Sequence, residues 1–152
     1  MKRKLECQEI IRLMIKSELS FSLLYKKYSQ LFPNKDFWLQ LAKEEVVHAE
    51  WLKALYESRD VKEMKDHLFP VESLKLILDS IEEDLRSADK KTSEEALSIA
   101  LMYEKSMVER EYFDIFRSDS DQLISVLKKL EKETEGHISK IEEEIKSLNV
   151  RA

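Results

Sequence analysis

Glu45 and His48 stand at Glu-x-x-His spacing, which puts a carboxylate and an imidazole on adjacent turns of one helix face. Glu18 lies in an apolar stripe one helix earlier, among Ile11, Met14, Ile15, Phe21, Tyr25 and Tyr28. The second half of the chain repeats the pattern with one change. Glu104 is followed by His137, but Thr134 stands where the matching glutamate would be. Carboxylates and imidazoles projecting inward from several helices are the ligand set of a metal site inside a helical bundle. Here the set is complete in the first half and short of one carboxylate in the second.

Each candidate ligand shares a face with apolar residues. Trp38, Leu41, Ala42, Ala49, Leu52 and Leu55 accompany Glu45 and His48, and Leu97, Ala100, Leu101, Met107 and Val108 surround Glu104. Leu123, Val126, Leu127, Leu130 and Ile141 flank Thr134 and His137. All of these polar positions fall near the middle of their helices, so antiparallel pairs bring them to one level. Carboxylates gathered in an apolar interior repel one another, and desolvating each costs several kcal/mol. Bound cations relieve that cost more fully than protons do. Two divalent ions bring four positive charges against Glu18, Glu45 and Glu104, while His48 and His137 add neutral nitrogens. Such donors suit iron or manganese, with zinc as an alternative.

Taken singly, each of these residues is most simply structural; the joint placement on four stripes is what points to metal. Glu133 is expected mostly to face solvent, although at four positions before His137 it is also the residue that could substitute for the carboxylate Thr134 lacks. Glu44 and Glu135 are expected to face solvent, and His67 to sit on a polar surface connection. Tyr25, Tyr28, Tyr56, Tyr103 and Tyr112 read as core and rim aromatics, and Trp38 and Trp51 as core or dimer contacts. Gly136 interrupts the last helix, where glycine costs about 1 kcal/mol relative to alanine; a close helix contact would account for it.

The elements that position these residues are long helices. The first runs from about Lys4 to Leu31 and stops at Phe32-Pro33-Asn34. Asn34 caps a second helix that reaches about Ser58. A polar connection through Lys62 and His67 leads to a shorter amphipathic helix from Glu72 to about Ala88. Thr92 and Glu95 form a capping box that opens the third long helix, ending near Arg117. The run Ser118-Asp119-Ser120-Asp121 precedes a last helix from Gln122 to about Leu148. Short links make each long pair antiparallel, and the longer connection crosses between pairs. Similar separations from Glu18 to Glu45 and from Glu104 to Thr134 imply a faint internal duplication. The reading is therefore all-α: residues 1–152 as one domain, a four-helix bundle of two antiparallel pairs with a helix in the crossover.

Composition agrees. Of 152 residues, 43% are hydrophobic and 38% charged, as amphipathic helices require, while one Gly and two Pro are too few for a turn-rich β fold. A net charge of −5 leaves no electrostatic footprint for nucleic acid. The single cysteine, Cys7, excludes an internal disulfide and reads as a small buried residue. Glu6, Glu9 and Arg12 interrupt the N-terminal segment, so neither a signal peptide nor a membrane span is expected, and the cytoplasm is the expected compartment.

Over nearly its whole length the chain resembles the rubrerythrin branch of the ferritin-like proteins. The stretches that carry the resemblance are Glu18 to Tyr25, Glu44-Glu45-Val46-Val47-His48, Tyr103-Glu104-Lys105-Ser106-Met107 and Glu133-Thr134-Glu135-Gly136-His137. The resemblance implies a ferritin-like bundle with two irons. Glu18 and Glu104 would be terminal ligands, Glu45 a bridge, His48 a ligand of the first iron and His137 of the second, with Tyr25 hydrogen-bonding near the site. Thr134 removes one bridge, which implies weaker binding of the second ion. Met107 replaces a further family glutamate. The family's rubredoxin module, with its two cysteine pairs, has no counterpart here, so electrons would come from a separate protein, and a homodimer is expected. The functional expectation is an oxidoreductase that reduces peroxide or oxidises ferrous iron. Its rival is a helical binding or assembly module with one metal or none, which the missing carboxylates at Thr134 and Met107 favour.

Overall fold

The computed structural model describes residues 2–58, 68–106 and 121–151, and every regular element among them is helical. Helix α1, Lys2–Leu31, contains neither Gly nor Pro and ends where Pro33 biases Phe32 away from helical geometry. Phe32 N still donates to Tyr28 O at 2.9 Å, closing the last turn. Helix α2, Lys35–Ser58, starts on the Asn34 carbonyl, which accepts from Trp38 N at 3.3 Å. The Asn34 side chain makes tertiary contacts instead of the expected cap bond: Oδ1 accepts from Trp38 Nε1 at 3.0 Å and Nδ2 donates to Glu144 at 3.4 Å. One short link thereby fixes a buried indole and reaches across to the last helix.

Helix α3, Leu68–Ser87, begins earlier than the expected Glu72 because Pro70 falls within its first turn. The first four helical N–H groups have no intrahelical acceptor, so proline is tolerated there. A 3₁₀ turn, Ala88–Lys90, precedes helix α4, Ser93–Ser106. The capping box at its start is fully formed: Glu95 N donates to Thr92 Oγ1 and Thr92 N to Glu95 Oε1, each at 3.1 Å. Helix α5, Asp121–Arg151, runs a little beyond the expected Leu148. The expected extension of α4 to Arg117, with Met107, Val108 and Tyr112, lies outside the described residues, as do His67, most of the polar run before Asp121, and the side chains of Cys7 and Leu123.

Helix α1 packs along α2 and α4 along α5, and α2 also meets α5, while α3 lies against α1. Two apolar clusters result. One gathers Ile10, Ile11, Leu13 and Met14 with Leu52, Leu55, Leu74, Leu127 and Leu130. The other gathers Phe21, Leu24, Tyr25 and Tyr28 with Trp38, Leu41, Ile81, Leu97, Ala100, Tyr103 and Ile141. Fully burying one such large apolar side chain is worth roughly 1.5–3 kcal/mol. Glu18 falls between the two clusters on α1, Glu45 and His48 on α2, and Thr134 and His137 on α5. The apolar stripes are thus interrupted at one level, and the polar layer lies in the interruption.

Candidate metal centre

Glu18, Glu45, His48, Glu104 and His137 are all buried, none more than 3% exposed, and Thr134 is 7% exposed. A carboxylate rarely reaches such burial without a charged partner, so the geometry around each decides what the layer can do. Ser22 Oγ donates to the Ala42 carbonyl at 2.9 Å, locking α1 to α2 one turn from Glu18 and Glu45. His48 Nδ1 then lies 3.5 Å from Glu18 Oε2 and 3.4 Å from Glu45 Oε2. Glu18 Oε2 is buried and has no hydrogen-bond partner among the described residues. Burial, then the neighbouring Glu45 carboxylate, pushes the Glu18 carboxyl well above the usual carboxylate range.

On the other side His137 is held at both ring nitrogens. Nδ1 lies 3.1 Å from Glu45 Oε1 and 3.2 Å from Glu104 Oε1, and Nε2 lies 3.1 Å from Glu44 Oε2. Lys140 Nζ donates to the other Glu44 oxygen at 3.2 Å, and Tyr25 OH donates to Glu104 Oε1 at 2.8 Å. Burial alone would lower the His137 pKa, but hydrogen bonds to Glu104, Glu44 and Glu45 outweigh it and push the value up to about 12. Glu45 is raised to about 7 by burial and by Glu104, whereas the His137 hydrogen bond, followed by that of Lys140, lowers Glu44 to about 2. The two imidazoles stack with centroids 5.5 Å apart and planes 24° apart.

Three sets of ligand atoms each lie within 4.8 Å of one another: Glu18, Glu45 and His48; Glu45, Glu104 and His137; and His48, Glu133 and His137. The structure therefore brings all five expected ligands together, with Glu45 common to the first two sets. It adds Glu133, half-buried and beside both histidines where the main expectation had it facing solvent, so the alternative raised for it is the one the geometry favours. Glu44 departs from expectation, since it turns inward to His137 instead of facing solvent; its neighbourhood on α5 was not visible in its own helix pattern. Glu135 is exposed as expected. Gly136 also departs from expectation: a Cβ there would meet nothing within 4 Å, so no close helix contact explains it. Trp38 is fully buried, while Trp51 is half-buried with its ring 5.3 Å from that of His48.

No protein family, curated protein or solved structure matches the chain. Among the described residues, no helix is long and apolar enough to cross a membrane.

Proposed function

We propose that the chain is a ferritin-like four-helix bundle of the rubrerythrin type that works as a di-metal oxidoreductase, with peroxide or ferrous iron as substrate. The observation that carries this reading is the buried layer itself: three carboxylates and two imidazoles from four helices, with Glu18 Oε2 left without a hydrogen bond among the described residues. An unpaired buried carboxylate oxygen is costly, and a cation between Glu18, Glu45 and His48 removes the cost. The donor set is oxygen-rich with one imidazole per position, which fits iron or manganese. Glu18, Glu45 and His48 would hold one ion, and Glu45, Glu104 and His137 the other.

When bound, the ions supply Lewis acidity and electrons. The chain's own groups orient and insulate. Glu44 accepts the His137 Nε2 proton, which leaves Nδ1 aimed at Glu45 and Glu104, and Lys140 holds Glu44 in place. Tyr25 fixes one oxygen of Glu104 and keeps its own proton, because burial and then the Glu104 charge raise its pKa well above the usual value. The two apolar clusters keep water from either side of the layer. Electrons from a separate donor protein, a homodimeric assembly and a cytoplasmic setting complete the proposal.

One observation favours a second reading, a non-catalytic bundle with one metal or none. His137 Nδ1 already lies between Glu45 and Glu104, so an imidazolium there neutralises the second half without an ion. Anaerobic loading with ferrous iron, elemental analysis and stopped-flow absorbance on adding hydrogen peroxide separate the two. Two irons per chain that oxidise rapidly support the enzyme. One redox-inert ion, or none, supports the module and contradicts the enzyme.

A further inference from the structure

A cleft of about 380 Å³ is lined by Trp51, Lys129, Lys132 and Glu133. Its position follows from contacts on two of its walls. The Trp51 ring lies 5.3 Å from that of His48, and the Glu133 carboxylate stands within 4.8 Å of ligand nitrogens of both His48 and His137. Lys129 Nζ sits 5.6 Å above the Trp51 ring, held on the rim by its cation–π attraction. Lys132 follows three positions later on the same helix, so the two ammonium groups share one side of α5. Two ammonium groups against the one Glu133 carboxylate leave the mouth with positive charge. Such a field raises the local concentration of anions at the cleft.

We propose that this cleft admits a small anion, of the azide kind, to the His48–His137 side of the metal centre, and that it opposes the entry of ferrous iron by the same path. The inference rests on the di-metal reading and narrows it, since a field that draws in an anion opposes a divalent cation on the same path. Glu133 stands where an incoming ligand first meets the centre.

The test uses ferric-loaded full-length protein titrated with sodium azide and followed by charge-transfer absorbance, with metal content measured in parallel. A K129E/K132E variant is expected to bind azide about tenfold more weakly at low salt, and the difference is expected to shrink as salt screens the rim charges. Equal metal content and equal helical circular dichroism show that the variant has folded around an intact centre; if it does not fold, K129Q/K132Q carries the same test with a smaller expected loss. Azide affinity within twofold of the parent at low salt, in a variant with full metal content, overturns the cleft proposal alone. A parent protein that takes up no metal overturns the di-metal reading and the cleft proposal together.

Discussion

The two halves of the polar layer solve the same electrostatic problem by different means. On the α1–α2 side Glu18, Glu45 and His48 converge, but the Glu18 oxygen that faces His48 has no hydrogen bond among the described residues. On the α4–α5 side one carboxylate is missing at Thr134, yet every remaining donor is anchored. His137 is bound at both nitrogens, Glu104 by Tyr25, and Glu44 by Lys140. The first half leaves one buried carboxylate oxygen without a hydrogen bond among the described residues, so it has more to gain from a cation than the second. The second can place a proton on His137 and remain satisfied. The lesson is that the count of carboxylates alone does not rank the sites; what each carboxylate touches without metal matters equally.

Glu45 is common to both halves, and its removal should have the largest effect. Glu45→Ala is expected to abolish binding of both ions, and elemental analysis of a variant with full metal content would break the shared-bridge account.

The next effect is on stability, in chelator-treated protein. Glu45 has a folded pKa raised to about 7 from an ordinary 4.5, so the folded chain keeps a proton that the unfolded chain releases. Its contribution is fully present below about pH 4.5 and is lost as pH rises to about 7, on the order of 3 kcal/mol. His137, raised from 6.5 to about 12, acts in the same direction at higher pH. Glu44, lowered to about 2, acts oppositely, and its contribution is lost only as pH falls below its ordinary 4.5. Thermal melts should therefore give a higher Tm at pH 5 than at pH 8 without metal, and added divalent metal should flatten the difference. A Tm that rises between those pH values in chelator would contradict the burial of these groups.

Glu44→Ala should sharpen the contrast between the halves. Loss of the partner that orients His137 is expected to weaken the second ion about 10- to 100-fold while leaving the first unchanged. Stepwise metal titration reads both, and equal weakening of the two would remove the distinction drawn here. The smallest change expected is at Gly136, exposed within α5 with open space where a Cβ would stand. Gly136→Ala should stabilise the protein by about 1 kcal/mol through helix propensity alone, measured by chemical denaturation. Destabilisation would show that glycine serves a purpose beside His137.

Much of this architecture was readable from the sequence because helical periodicity is a strong signal. Apolar residues at three- and four-residue spacing fixed the faces of α1, α2, α4 and α5, and the five polar residues that broke those faces proved to be the buried layer. The Thr92–Glu95 box marked the start of α4 because both of its bonds are local. What escaped was settled between helices. Glu44 sits beside the inward-facing Glu45 and turns toward α5 because His137 and Lys140 await it there, a contact that no single-helix pattern encodes. The early start of α3 was missed for a local reason: Pro70 acts as a breaker in a helix interior but is accommodated in a first turn.

Isothermal titration of ferrous ion into chelator-treated protein, under anaerobic conditions, tests the central claim most directly. The expected isotherm has two classes of site per chain, a tighter one at Glu18, Glu45 and His48 and a weaker one at Glu45, Glu104 and His137. Heats no larger than dilution, with the protein still folded, would contradict it.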